Sequence, residues 1–441
     1  MLLQLLTPSH SFQQKKYIHI QLPPSKSITN RALLLSSLAL GRTKLRHVLR
    51  CDDSLVMIGA CRALGAVLEP IEDSDDWLVE GVGGVLKNTN DPIFVGAAGT
   101  CARFLTAMLC IGSGTYFLTA DPQMEKRPMG DLISGLRSLG ANIKELKQPG
   151  HLPLEIRGSS LKGGLLRIPG HVSSQFISAL MMMAPYGKLP LTIEVQGPSV
   201  STSYCKITQS VMSAFGVTVQ SETAHRYDIA PGHYRGRPEG YEIEADASSG
   251  SYFFALAALH PGQRFQFSGL KQNSAQGDLK FLDLLRRMGC RCEWIADNIT
   301  IEAPPQLRAV SADMSDLSDV VPTLAVLALF AEGETHLTKI SHIRKKESDR
   351  ISDLIQELKK FGTELKEFED GLSVMGLSAE KIYNLSEPGR SIEIETYNDH
   401  RIAMAVSLVG LKIPGVRIKN PTCVQKSYPN YFEDYFKIIS S

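Results

Sequence analysis

The chain has 441 residues, too many for one ordinary hydrophobic core and a fitting size for two domains or a repeat array. Hydrophobic residues make up 43% and charged residues 21%, the balance of a soluble globular protein, and 47 Lys and Arg against 46 Asp and Glu leave a net charge of +1. Such neutrality gives no footing for nucleic acid or a charged membrane surface, so any anion site must be a local concentration of cations.

The opening stretch MLLQLLTPSHSFQQKK has too short an apolar run, and no basic leader, for a signal peptide. No segment approaches the roughly 18 apolar residues of a membrane span. The first predicted element is an apolar helix in SKSITNRALLLSSLALG, closed by Gly41 and followed by a β-like run. An amphipathic helix, MIGACRALG, then closes at Gly65. The same pair recurs down the chain. Apolar helices end at Gly114, Gly187, Gly262, Gly333 and Gly410, at intervals of 71 to 77 residues. Amphipathic helices end at Gly140, Gly216, Gly289 and Gly362, at intervals of 73 to 76 residues. Glycine just past a helix supplies a left-handed cap, and the β-branched or apolar run after it reads as a strand. Two interleaved series in register predict six copies of one α/β unit, three in each of two domains.

Each apolar helix begins with polar residues. In chain order these are Lys26, Ser27 and Arg31; Gly99, Thr100 and Arg103; and Ser173, Ser174 and Gln175. Then come Asp246, Ser248 and Ser249; Asp319; and Asn398, Asp399, His400 and Arg401. Helix starts expose unpaired N–H groups at the positive end of the helix dipole and so receive anions. Ser and Asp also cap helices for purely structural reasons, which accounts equally well for Asp246, Ser248 and Ser249. Capping does not explain Lys26, Arg31, Arg103 and Arg401, whose charges a bound anion would offset. Further cations stand in loops: Lys126 and Arg127, the run Arg344 to Arg350 with Lys345, Lys346 and Glu347, and Lys426. Arg suits planar carboxylates and phosphates, and Lys suits phosphate as a point charge. The pattern predicts small ligands carrying several negative charges. The eight cysteines are scattered; Cys290 and Cys292 lack metal-site spacing, and reduced thiols with no metal centre are expected.

PPSKSITNRALLL, GAAGTCARFL, EKRPMGDL, SSQFISAL and DASSGSYFFALAAL, followed in order by DLSDVVPTLAVLALFAEG, RKKESDR, TYNDHRIAMA and CVQKSYPNYF, resemble the 5-enolpyruvylshikimate-3-phosphate synthases along essentially the whole chain. The resemblance implies the enolpyruvyl transferase fold, a two-domain inside-out α/β barrel of six βαβαββ repeats, three per domain. It puts residues 1–24 and 243–441 in one domain and 25–242 in the other, with a double hinge and the active site in the cleft between them. It implies transfer of the enolpyruvyl group of phosphoenolpyruvate to the 5-hydroxyl of shikimate 3-phosphate, in a cytoplasmic monomer without cofactor, nucleic acid or membrane partner.

By the same resemblance, Lys26, Gly99, Arg127, Gln175, Arg350, Arg401 and Lys426 would form the phosphoenolpyruvate site. Lys26, Ser27, Arg31, Ser173, Ser174, Gln175, Ser201, Tyr204, Asp319 and Lys346 would hold shikimate 3-phosphate. Asp319, Glu347 and Lys26 are the expected acid–base groups, with Asp319 on the alcohol and Glu347 with Lys26 on the carbon proton; His400 fits a structural place better. The chain departs from the family pattern at Ala97, where Asn is common, at Phe104, where Pro usually follows the arginine, and at His342, where Asn often stands. A related transferase acting on UDP-N-acetylglucosamine carries a catalytic cysteine in a loop whose counterpart here, ADPQMEKRPMG, has none.

Overall fold

The structure, a computed structural model, describes residues 2–5 and 17–440. Most of the opening stretch assessed above as a leader lies outside the described residues. The chain divides into two compact units, Met1–Pro23 with Ala245–Ser441, and Pro24–Glu244.

In the unit Pro24–Glu244, three buried helices recur: α1 (Lys26–Leu38), α2 (Gly99–Leu109) and α3 (Ser174–Met183). Each precedes a strand that pairs parallel with a short leading strand, and for α2 and α3 that leading strand comes just before the helix, as Gly164–Pro169 and Leu191–Gln196 flank α3. A second helix then leads into a hairpin whose last strand pairs antiparallel with the second strand. Three four-stranded sheets of identical order result. The first borrows its leading strand, Tyr241–Glu242, from the far end of the unit.

The other unit repeats the scheme around α4 (Ala247–Ala258), α5 (Val321–Ala328) and α6 (His400–Ser407). Strand Ile18–Gln21 supplies the leading strand for α4. Strand Leu2–Gln4 pairs antiparallel with Val416–Lys419, in the place a hairpin strand takes in the other repeats. Six βαβαββ units are present, with three strands of the last sheet among the described residues.

Helices α4, α5 and α6 are buried at every residue, as a helix apolar all round must be. The second helices are amphipathic, as Arg350–Lys359 shows with Ile351, Leu354, Ile355 and Leu358 inward. One expectation needs correction. The five glycines after amphipathic helices are all left-handed, with φ between 71° and 105°, and so are Gly41, Gly262 and Gly333, but Gly187 has φ −73° and Gly114 and Gly410 are not left-handed either. At two of these three, crowding rather than backbone conformation requires glycine. A Cβ on Gly114 would stand 1.9 Å from Asn88 Oδ1, and one on Gly410 would stand 2.9 Å from Leu5 Cβ.

All eight cysteines are free, and burial raises Cys51 to about 11 and Cys110 to about 12, so both thiols stay protonated and unreactive. Among the described residues, no helix is long and apolar enough to cross a membrane, and no group of three or more His, Cys, Asp or Glu side chains could hold a metal ion.

Candidate active site

In the unit Pro24–Glu244, the start of α1 is capped by Ser25, whose hydroxyl accepts from the Ile28 amide at 3.5 Å. Lys26 follows, with Nζ 3.0 Å from Asp53 Oδ2 and neither side chain more than 13% exposed. Asp53 stands in the first turn of the next helix, where a carboxylate is favoured, so one acid serves two purposes. Cys101, in the first turn of α2, donates its thiol to the Asp53 carbonyl at 3.0 Å and ties that turn to the pair.

Arg31 is 1% exposed, and its donors are engaged by protein acceptors. Nε donates to Thr208 Oγ1 at 2.7 Å, Nη1 to the Ser27 carbonyl at 3.0 Å, and Nη2 to Ser178 Oγ at 3.2 Å and the Tyr204 carbonyl at 3.3 Å. The guanidinium also lies 5.0 Å from the Phe104 ring centroid, a cation–π contact that a proline there could not make. Burial lowers its pKa to about 10, so it remains charged at neutral pH. Arg31 therefore clamps α1 to α3 and to the helix Ser203–Ala214, beside Ser201 and Tyr204.

The starts of α2 and α3 meet through Arg103, whose Nη1 donates to the Gly99 carbonyl at 3.1 Å and to Gln175 Oε1 at 2.9 Å. Gln175 Nε2 in turn donates to Thr100 Oγ1 at 3.2 Å. Ser173 caps α3 by accepting from the Gln175 amide, with Ser174 in the first turn. Arg127 is 6% exposed and lies against Gly99. A Cβ on Gly99 would stand 2.5 Å from Nη1 of both Arg103 and Arg127, so this glycine is what lets two guanidinium groups approach the helix start.

In the unit containing Ala245–Ser441, the counterpart is an ion-pair network. Asp399 caps α6, accepting from the Arg401 amide at 2.9 Å, and its carboxylate also takes Arg350 Nε at 2.7 Å and Nη2 at 3.3 Å. Arg350 reaches Asp319 Oδ1 at 3.2 Å and Glu347 Oε2 at 2.8 Å. Arg401 Nη2 donates to Asp319 Oδ2 at 2.7 Å, and its Nη1 lies 3.4 Å from the Tyr252 hydroxyl. Lys346 stands 3.9 Å from Asp319, and Lys426 stands 4.0 Å from Glu347. Burial alone would lower the Arg350 pKa, but Asp399, Glu347 and Asp319 more than reverse it. Four cations thus share three carboxylates, and an incoming anion can replace a carboxylate as the partner of these cations.

Two further groups border this network. Asp278 is buried and accepts a hydrogen bond from Ser248 in the first turn of α4; burial, and then the Asp319 charge, raise it to about 7. His342 is 8% exposed, and among the described residues neither ring nitrogen has a hydrogen-bond partner; burial, and then Lys346, lower it to about 3, so the imidazole is neutral. His400 is buried, with Nδ1 3.9 Å from Asp399 Oδ1.

A family model described as EPSP synthase (3-phosphoshikimate 1-carboxyvinyltransferase) matches residues 13–435. The chain belongs to the EPSP synthase family. It is 40% identical over 423 residues to the 3-phosphoshikimate 1-carboxyvinyltransferase of Histophilus somni (strain 2336), covering 95% of this chain and 96% of that one. It resembles the solved EPSP synthase of Acinetobacter baumannii with a TM-score of 0.81 and 26% identity, covering 99% of this chain and 98% of that one. The enolpyruvyl transferase NikO of Streptomyces tendae, at 17% identity and a TM-score of 0.74 over 99% of this chain and 97% of that one, shares the fold.

The residues expected of an EPSP synthase divide between the units. Lys26, Ser27, Arg31, Gly99, Arg127, Ser173, Ser174, Gln175, Ser201 and Tyr204 lie in Pro24–Glu244; Asp319, Lys346, Glu347, Arg350, Arg401 and Lys426 lie in the other unit. Sequence reasoning passed over Asp53, Asp278 and Tyr252. An acid in a helix first turn, a buried acid after a loop and a core tyrosine are each commonplace, and only their neighbours mark them.

Proposed function

We propose that this chain transfers the enolpyruvyl group of phosphoenolpyruvate to the 5-hydroxyl of shikimate 3-phosphate and releases phosphate. Membership of the EPSP synthase family supports the reaction, and the observation that carries the assignment of roles is the network joining Asp319, Glu347, Arg350, Arg401 and Lys426. Arg350 and Arg401 take the carboxylate of phosphoenolpyruvate, and Lys26, Arg127 and Lys426 its phosphate, with Gly99 and Gln175 beside them. Lys26, Ser27, Arg31, Ser173, Ser174, Gln175, Ser201, Tyr204, Asp319 and Lys346 hold shikimate 3-phosphate, and Arg31 also fixes the helix starts that present the others.

The chemistry is addition followed by elimination. Asp319 takes the proton of the 5-hydroxyl as its oxygen bonds to the enol carbon, while Glu347 with Lys26 delivers a proton to the methylene carbon. The resulting tetrahedral ketal loses phosphate, which carries away the alcohol proton, as the same pair withdraws a proton from the methyl group. The cations stabilise the departing phosphate. No step calls for a cofactor. We further assign the enzyme to the cytoplasm and to a monomeric state, as the family resemblance implies.

Purified protein should release phosphate from a mixture of the two substrates and not from either alone. Folded protein that releases none would overturn the assignment. Release on replacing shikimate 3-phosphate with UDP-N-acetylglucosamine would move it to the related transferase.

A further inference from the structure

Tyr397 and Asn398 are consecutive non-glycine residues in the left-handed region, with φ 52° and 55°. Two such residues in succession are costly, above all at a tyrosine, and persist only where the surroundings hold them. Here the holding contacts are explicit. The Tyr397 hydroxyl lies 2.8 Å from Glu357 Oε1 and 3.0 Å from Gln356 Oε1. Thr396 Oγ1 donates to the Lys419 carbonyl at 3.1 Å. Asn420, itself left-handed at φ 46°, donates from Nδ2 to Asn398 Oδ1 at 3.0 Å. The Asn420 amide is oriented by Thr422, whose hydroxyl donates to Asn420 Oδ1 at 3.0 Å.

These two turns lead directly into binding residues. Asn398 precedes Asp399 and the first turn of α6, which carries Arg401; Asn420 caps the short 3-10 turn Pro421–Lys426, which ends in Lys426. Phosphoenolpyruvate bears its carboxylate and its phosphate on one carbon, so the cations that receive them must keep a fixed separation. Arg401 and Lys426 come from different loops, and the Asn398–Asn420 hydrogen bond joins those loops just upstream of both.

We propose that this bond between two left-handed turns is a positioning element that sets Arg401 against Lys426 for phosphoenolpyruvate; the inference rests on the reading of the anion site given above. Neither asparagine touches substrate in this scheme. Their effect passes through Arg401 and Lys426.

The experiment is steady-state kinetics on the full-length protein. N420D keeps a residue that tolerates the left-handed conformation but replaces the donor with an acceptor facing Asn398 Oδ1. N420G also deletes the donor and adopts the conformation without strain, which guards against loss of folding. Both should raise KM for phosphoenolpyruvate by about three- to tenfold, the worth of one hydrogen bond, and leave KM for shikimate 3-phosphate within about twofold. N398D retains the acceptor and should stay close to the unmodified protein in both constants. Unchanged KM for phosphoenolpyruvate in N420D and N420G, or an equal rise in both KM values, overturns the positioning role. K426M measured in parallel separates the two layers. If K426M raises KM for phosphoenolpyruvate and the Asn420 variants do not, the brace alone fails; if K426M also has no effect, the reading of the anion site fails.

Discussion

Arg350 Nε donates to Asp399 Oδ2 at 2.7 Å, with the two side chains only 1% and 0% exposed. Asp399 also caps α6, so one carboxylate fixes both the helix that bears Arg401 and the guanidinium beside Glu347. Removing one partner of a buried pair leaves an uncompensated charge and costs about 3–5 kcal/mol. Asp399→Ala should therefore lower stability by an amount of that order, read as the shift in urea-unfolding midpoint. A shift no larger than that of an exposed pair such as Arg42–Glu80 would show that Arg350 finds another partner.

Asp319 and Lys426 should fail in different ways. Lys426→Met removes a charge-assisted contact to phosphate, worth about 1.5–3 kcal/mol, so KM for phosphoenolpyruvate should rise roughly ten- to a hundredfold. Asp319→Ala should leave phosphoenolpyruvate binding measurable by calorimetry and lower kcat by about a hundredfold or more, the usual worth of an acid–base group. Near-normal kcat in Asp319→Ala would remove it from proton transfer.

Two groups in the same unit give stability opposite dependences on pH. Asp278 titrates at about 7 when folded against an ordinary value of 3.8, because burial, and then Asp319, disfavour its charge. The native chain keeps that proton over the interval and the unfolded chain loses it, so this group lowers stability as pH rises from about 4 to about 7. His342 titrates at about 3 against 6.5, because burial, and then Lys346, disfavour its charge. The unfolded chain takes up that proton first, so this group lowers stability as pH falls from about 6.5 to about 3. The two slopes oppose each other between pH 4 and 6.5 in the unmodified protein. Asp278→Asn should make stability rise more steeply with pH across that window, and His342→Asn should make it fall. Parallel unfolding curves for all three proteins from pH 4 to 7 would contradict both shifts.

Ala97 lies one residue before the N-cap of α2, two positions from Gly99. Asn there would add an amide donor two positions from the glycine that Arg103 and Arg127 border. Ala97→Asn should tighten both phosphoenolpyruvate and glyphosate, an inhibitor that the family resemblance places in the phosphoenolpyruvate site, by about ten- to a hundredfold, since one hydrogen bond to a charged group is worth about 1.5–3 kcal/mol, with little change in their ratio. Gly99→Ala should act differently. Its Cβ displaces Arg103 and Arg127 from 2.5 Å, so binding of both ligands should weaken. Unaltered affinity for both ligands in Ala97→Asn would mean that position 97 does not face them.

The repeat was legible in the sequence because its signal is local: an apolar run, a glycine and a β-branched run recur at each copy whatever lies around them. The cations at the helix starts were legible for the same reason, since Lys26, Arg31, Arg103 and Arg401 are not N-cap types and are disfavoured near the positive end of a helix dipole. What the cations pair with was not. Asp53 meets Lys26 across 27 positions of sequence and Arg350 meets Asp399 across 49, and no periodicity links such distant residues. The glycines divide in the same way. Those left-handed after a helix follow a local rule, whereas Gly99, Gly114 and Gly410 are glycine because distant side chains, those of Arg127, Asn88 and Leu5, come too close for a Cβ. Local periodicity determined the elements and their number. Only the packed chain decided which charges face one another, because charge pairing depends on separation in space and the sequence records separation along the chain.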